Sequence, residues 1–449
     1  FRSGLTLQNL PCGTIVVLDR HAGLLHLAAR DERAAWGALT CVKGPGRGYG
    51  FAENSLEPIG RFARQIAGSV RNPSLMQRDL QIDCEFTLAL NNRTGKYFLC
   101  RDMIEACADL ISRQLFWRLP SAKVPPRTMS RILGRLARIE VSFRTQHPWT
   151  YRVFPAMRGR RPVFFTDPRE CVLYRLRRYD VVLCHDMGPI THPELYAPGV
   201  REIYSAAFER IKAARPLIIF VSEASKNDFI RLYGDDFPLL AVAHPPIRSD
   251  LDDAEEEEIP NLPSRFLLTV GSIGARKNHA RAIAAYAMSG LADEGCAYVI
   301  CGGPEPGAEA VEAAARDTKG VHLCGYVNDR QLRWLYRHAR GFVLPSILEG
   351  FGLPAAEAIN RALVPLVGAG GALHEVTGDS AVLVDPLDVG QIAAGMRTLV
   401  TMDDQERAAR LAAMKANIGR FSSEAAVSAW RRAIQQSIAS WRSDKGGPG

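Results

Sequence analysis

Residues 343–376 read VLPSILEGFGLPAAEAINRALVPLVGAGGALHEV. The run Phe342-Val343-Leu344-Pro345 has the character of the end of a buried strand. A glycine-punctuated loop follows, Glu349-Gly350-Phe351-Gly352-Leu353-Pro354, and an alanine-rich helix opens at Ala355. A strand, a tight loop of backbone amides and a helix N-terminus form the arrangement that receives anionic ligands in α/β proteins. Two carboxylates, Glu349 and Glu357, bracket it. A carboxylate repels phosphate but accepts paired hydrogen bonds from a vicinal diol, so both are expected to meet sugar or ribose hydroxyls.

With Pro345-Ser346 ahead of it, Glu349-Gly-Phe-Gly-Leu-Pro-x-x-Glu357 resembles the signature of retaining glycosyltransferases of family 4. The resemblance implies the GT-B fold, α/β with two Rossmann-like doubly wound domains facing a central cleft. It places Glu349 by the donor sugar, Glu357 by the ribose, and Gly350, Phe351, Gly352 and Leu353 at the donor.

Outward from that stretch, the chain divides into five segments. Residues 1–78 form an unassigned N-terminal extension, with a possible strand at 14–18 and a glycine-rich patch at 43–50 read as a flexible turn. The patch lacks the G-K-[ST] ending of a phosphate loop. Residues 79–250 read as a Rossmann-like acceptor domain: a strand from Leu80 to Phe86, a loop around Gly95, then a helix from Phe98 to Leu115. Asn91-Asn-Arg-Thr-Gly95-Lys-Tyr is similar to the R-T-G-x-x-R-Y loop of the family, which implies that Gly95 lets the backbone approach the donor, with Arg93 and Lys96 near the cleft. Val181-Val-Leu-Cys-His185-Asp186 is a buried strand ending in polar groups, and its continuation to Glu194 resembles the family's H-D-x-x-P-L-x-x-P-E. That likeness puts His185 over the reaction centre and leaves Asp186 to brace the loop. Ser222 is placed to cap the helix ending at Tyr233.

Residues 251–263 are an acidic, proline-bounded linker, expected to be too charged to pack. Residues 264–404 read as the Rossmann-like donor domain. Its first strand, Phe266–Val270, is followed by Gly271-Ser272-Ile-Gly274-Ala-Arg276-Lys277-Asn278, where glycines, a helix start and two cations suit a diphosphate without a metal. The stretch resembles the family's V-G-[ST]-x-x-P-R-K-N, implying that Arg276 and Lys277 hold the diphosphate beside Gly271 and Ser272. Leu323-Cys-Gly-Tyr326-Val327 resembles the L-G-Y-V that packs on the nucleobase. After Glu357 the family shows G-x-P-V, whereas this chain has Ala362-Leu-Val364-Pro365. Residues 405–449 read as helices that cross back to the first domain, with Trp430 as an anchor.

The chain has 449 residues and a net charge of +8, with sixteen Lys or Arg against four acids between Arg113 and Asp180. That concentration points to an anionic membrane surface or lipid-linked substrate. No nucleic-acid motif accompanies it, so no nucleic-acid partner is expected. Ten cysteines lack metal-ligand spacing, which suggests a reducing compartment and no structural zinc. The expected activity is retaining, metal-independent hexosyl transfer, with no cofactor, from a nucleotide-sugar to a glycan or lipid-linked acceptor of a surface polysaccharide. GDP-mannose leads as donor, ahead of UDP-sugars and dTDP-rhamnose. The expected location is cytoplasmic, peripheral at the inner membrane face. Two rivals are another GT-B enzyme (an epimerase or phosphorylase) and a non-catalytic sugar-nucleotide or membrane-binding module.

Overall fold

The computed structural model describes residues 15–19, 24–30, 36–43, 49–51, 81–91, 95–121, 123–153, 156–247, 255–305 and 307–446. The chain forms two compact units, Phe1–Leu75 and Met76–Gly449. In the first, β1 (Ile15–Asp19), β2 (Leu24–Arg30), β3 (Trp36–Lys43) and β4 (Tyr49–Phe51) pair antiparallel in sequence order. The strand expected at 14–18 corresponds to β1. Residues 44–48 of the glycine-rich patch, and Arg93, lie outside the described residues.

The second unit holds two sheets. The first contains β5 (Ile82–Glu85), β6 (Ile111–Phe116), β7 (Leu119–Ser121), β8 (Val163–Phe165), β9 (Val181–Cys184), β10 (Leu217–Phe220) and β11 (Leu240–Val242). Their order is β11-β10-β9-β8-β5-β6-β7, parallel except where β7 turns back on β6. The helix expected to run from Phe98 to Leu115 stops early: α1 spans Gly95–Ala106, and residues 111–116 form β6. Pairing with β5 overrides local helix tendency there, placing Arg113 2.9 Å from the buried Asp83. Arg127–Gln146 forms α2, Val200–Ala214 α3 and Glu223–Tyr233 α4. Ser222 caps α4 by accepting from the Ser225 amide at 3.1 Å.

The second sheet contains β12 (Phe266–Val270), β13 (Ala297–Cys301), β14 (Val321–Gly325), β15 (Gly341–Leu344), β16 (Pro365–Gly368) and β17 (Val382–Val384). All are parallel, in the order β14-β13-β12-β15-β16-β17. The apolar runs behind β12, β13 and β15 are buried, as strands covered on both faces must be. Its helices include α5 (His279–Ser289), α6 (Asp329–His338), α7 (Leu353–Asn360), α8 (Gly371–Thr377) and α9 (Asp404–Ile418).

The linker departs from expectation. Glu255 lies 3.4 Å from Arg330, and Glu256 lies 2.7 Å from Arg337 and 3.5 Å from Arg333, so its glutamates lie along α6. The charge that would keep the segment in solvent is matched by arginines at helical spacing. The final helix, α10 (Ser423–Gly446), returns to the first sheet. Trp430 is buried with its ring stacked on Phe164 at 4.5 Å, and Arg431 forks onto Asp109 at 2.6 and 2.7 Å. Two doubly wound sheets with a returning C-terminal helix are the GT-B arrangement.

Candidate active site

In an open parallel sheet, ligands bind beyond the strand C-termini where the strand order reverses. In the second sheet that point lies between β12 and β15. A glycine after β13 lets the loop after β12 approach: Gly302 has φ +154°, and a Cβ there would lie 1.8 Å from the Gly271 carbonyl oxygen. Gly271, at φ +148°, lies against Lys277, with its Cβ position 3.3 Å from Cε. Arg276 and Lys277 sit in a short 3-10 turn ahead of α5. The Asn278 side-chain amide ties that turn to the loop after β15 by donating to Pro345 O at 2.9 Å.

Both cations converge on Glu349. Lys277 Nζ lies 2.5 Å and Ser346 Oγ 2.7 Å from its Oε1, and Arg276 Nη1 lies 3.3 Å from Oε2. Burial alone raises the Glu349 carboxyl, but Lys277 and Arg276, with hydrogen bonds from Lys277 and Ser346, hold it below the ordinary range. Burial lowers Lys277 against the opposing pull of Glu349. Arg276 also has Glu305 at 3.7 Å, and these carboxylates outweigh its burial and raise it. An entering diphosphate can take over the two cations and free Glu349 to accept from sugar hydroxyls.

The other donor-side residues are spread more widely. Glu357 is buried in α7 and accepts from Tyr336 Oη at 3.1 Å. Gly352, at φ +101°, starts α7, and Gly95 of the first domain has its Cβ position 3.7 Å from Leu353 Cδ1. Ser272 is half-buried in the loop after β12. Tyr326, just beyond β14, is 87% exposed, and Val327 is half-buried beside it. Phe351 turns its ring away from the donor loop, 5.0 Å from Phe421 and 5.8 Å from His244, which leaves only its backbone to meet a ligand.

On the first domain, His185 follows β9 and is buried. Its Nε2 lies 2.9 Å from the Thr166 carbonyl. A carbonyl only accepts, so Nε2 carries the proton and Nδ1 is the acceptor. Burial, then Lys96, push the imidazole down to about 4, keeping it neutral. Below it lies an acidic layer. Burial would raise Asp167, but Arg169 and Lys96 bring it down to about 2, whereas burial pushes Glu170 up to about 7. Asp186 braces its loop by accepting from Gly188 N at 3.0 Å, Tyr196 Oη at 3.2 Å and Lys96 Nζ at 3.2 Å.

The two domains meet closely. A Cβ on Gly350 would lie 2.4 Å from the His185 carbonyl oxygen. Ser225 Oγ donates to the Gly350 and His185 carbonyls, each at 3.4 Å. Glu375 of α8 accepts from the Glu223 and Ala224 amides at 3.1 and 3.3 Å, and lies 2.6 Å from His244 Nε2. A cavity of about 150 Å³ remains between the domains, lined by Asp186, Ser225 and Asp228 on one side and Glu349, Gly370 and Gly371 on the other. Sequence reading missed Asp228, Glu305 and the Glu375 contact. Glu375 stands in the opening stretch, but its partners lie 131 to 152 residues away.

Away from the cleft, α2 is apolar on two opposite faces. Leu133, Ala137 and Val141 are buried, while Met129, Ile132, Ile139 and Phe143 are exposed and flanked by Arg131, Arg135 and Arg138. Among the described residues no helix is long and apolar enough to cross a membrane, and the cysteines from Cys84 to Cys324 are free thiols.

Residues 252–416 match the family described as Glycosyl transferases group 1. O-antigen chain mannosyltransferase B of Escherichia coli is 29% identical over 265 residues, covering 56% of this chain and 68% of that protein. Serotype-specific mannosyltransferase WbdA of Escherichia coli is 29% identical over 247 residues, or 49% of this chain, and the match spans only 29% of WbdA. MMP alpha-(1->4)-mannosyltransferase of Mycolicibacterium hassiacum is 36% identical over 83 residues, 18% of this chain and 20% of that protein. Among solved structures, an α,α-trehalose-phosphate synthase of Burkholderia vietnamiensis aligns with a TM-score of 0.49 at 12% identity, over 78% of this chain and 84% of that one. Residues 252–416, the segment that this family match covers, carry Arg276, Lys277, Glu349 and Glu357 of the site.

Proposed function

We propose that this protein is a glycosyltransferase that moves mannose from GDP-mannose to a glycan or lipid-linked acceptor, with retention at the anomeric carbon and without a metal. The observation that carries the proposal is the convergence of Arg276 and Lys277 on Glu349 at the switch point of the second sheet. A buried lysine and a half-buried arginine supply the charge that a departing diphosphate needs, which is the task a divalent ion performs elsewhere. Mannose as the sugar is supported by the names of three relatives at 29 to 36% identity. In the proposed step the C1–O bond to the diphosphate breaks while a C1–O bond to the acceptor forms on the same face. The acceptor hydroxyl proton passes to the leaving phosphate oxygen. Glu349 orients the sugar, Glu357 serves the ribose, and neutral His185 accepts from a sugar hydroxyl through Nδ1.

The acceptor side supports work at a membrane surface. The exposed apolar stripe of α2, with its flanking arginines, suits an anionic interface. A thermal-shift panel of GDP, UDP, dTDP and ADP in chelator tests the donor. The reading expects GDP to raise Tm and Lys277→Ala to lose the shift. No shift with any diphosphate would remove the donor-site reading. Proton NMR of the product then decides retention against inversion.

A further inference from the structure

At the opposite end of the second sheet lies a second cavity, of about 430 Å³, lined by Arg333, Arg337, Arg340, Arg361 and Arg407 with Ala339, Ala362 and Leu363. Arg340 immediately precedes β15, and Leu363 lies just ahead of β16, so the cavity opens at the strand N-termini. The donor loops leave from the C-termini. We propose that this cavity is a binding site for a phosphate or diphosphate group, separate from the donor cleft.

The argument rests on charge and on how the arginines are held. No carboxylate lines the cavity. Glu256 of the linker also reaches Arg333 and Arg337. Arg340 and Arg407 have no ion pair with a carboxylate among the described residues. Arg407 is fixed instead through neutral acceptors: Nη1 donates to Arg340 O at 2.8 Å and Nη2 to Leu399 O at 3.0 Å. Its Nε is buried without a hydrogen-bond partner among the described residues. Burial, then the charge of Arg340, push Arg407 below the ordinary guanidinium range. Arg361 lies with its guanidinium 5.4 Å from the Tyr336 ring centroid and donates to Glu357 O at 3.3 Å. Ala362 turns the chain from α7 into β16 at φ +61°, a conformation unfavourable for any residue with a Cβ. That turn sets Arg361 in the lining.

Guanidinium groups stay protonated at all working pH values and bind phosphate oxygens bidentately. A cavity of this size holds a phosphorylated sugar or a diphosphate. Such an anion must compete with Glu256 for Arg333 and Arg337, so its binding loosens the linker between the two sheets. α7 also joins the sites, since its first residue is Leu353 of the donor loop and Arg361 follows its last.

The test is calorimetric titration of the full chain with inorganic pyrophosphate at fixed ionic strength, in wild type, Arg340→Glu and Glu256→Gln. Among the described residues Arg340 has no ion pair with a carboxylate to lose, and a thermal melt checks the fold of each variant. Arg340→Glu should bind one fewer pyrophosphate per chain, or bind it at least tenfold more weakly. Glu256→Gln should bind it several-fold more tightly, a gain that misfolding cannot produce. Co-sedimentation with phosphatidylglycerol–phosphatidylcholine vesicles separates the sources of the group. Vesicle binding lost in Arg340→Glu assigns a lipid headgroup, whereas loss of pyrophosphate alone assigns a soluble phosphate ester. Unchanged pyrophosphate and vesicle binding in both variants overturns the site.

Discussion

The two crevices that form the cleft are built with opposite electrostatics. The second-domain crevice holds Arg276 and Lys277 on one carboxylate, with glycines letting backbone approach backbone. The first-domain crevice holds Asp167, Glu170 and Asp186 around a neutral His185. One side is suited to an anionic leaving group, the other to neutral hydroxyls. In the proposed reaction, Glu349 keeps the buried Lys277 and the half-buried Arg276 compensated until a diphosphate replaces it.

Breaking the cationic side should have the largest effect. Lys277→Ala is expected to reduce transfer about 100- to 1000-fold, the usual cost of removing one preorganised charge-stabilising donor, and is read as kcat/KM against wild type. Glu349→Gln should separate two roles of that crevice. Removing one partner from a buried ion cluster costs about 3 kcal/mol in urea unfolding, and transfer falls, while GDP affinity is retained or rises because the cations are freed. Loss of GDP binding in this variant would show that Glu349 positions the cations rather than competing for them.

The first-domain side sharpens the comparison through pH. Folded His185 takes its proton near 4 and the unfolded residue near 6.5. The stability it contributes is therefore complete above pH 6.5 and is lost as pH falls towards 4, by up to about 3 kcal/mol. Between pH 7 and 4.5, wild type should lose more stability than His185→Gln. Equal losses would mean that His185 titrates normally. Contact between the crevices should matter less: Gly350→Ala pushes a Cβ against the His185 carbonyl and should cost about 2 kcal/mol in transition-state stabilisation, seen in kcat at little change in unfolding midpoint. His244→Ala removes one of three donors to Glu375, a loss of about 1 kcal/mol, and should enlarge the radius of gyration slightly in X-ray scattering.

The fold was legible where strands are buried on both faces. Leu217-Ile-Ile-Phe220 and Phe266-Leu-Leu-Thr-Val270 are apolar runs that can be little else, and Ser222 marks a helix start by its own chemistry. Ile111–Phe116 was not legible, because a half-exposed strand between β5 and the short β7 carries no apolar run to set it apart from the preceding helix. The linker was misread for a related reason: Glu255 and Glu256 look solvated until Arg330, Arg333 and Arg337, some eighty residues on, are seen to face them.

The same division runs through the site. Sequence alone marked out as candidates the loop Glu349–Leu353, the cations Arg276 and Lys277, and the strand end at His185, because each is a contiguous pattern with a chemical reason for its spacing. Tertiary structure decided that both cations rest on one carboxylate, that Phe351 turns from the donor towards Phe421, and that Glu375 joins the domains. It also gathered five arginines into a cavity at the far end of the sheet. Local chemistry is written along the chain, whereas charge compensation depends on which distant groups the folded backbone brings within a few ångströms.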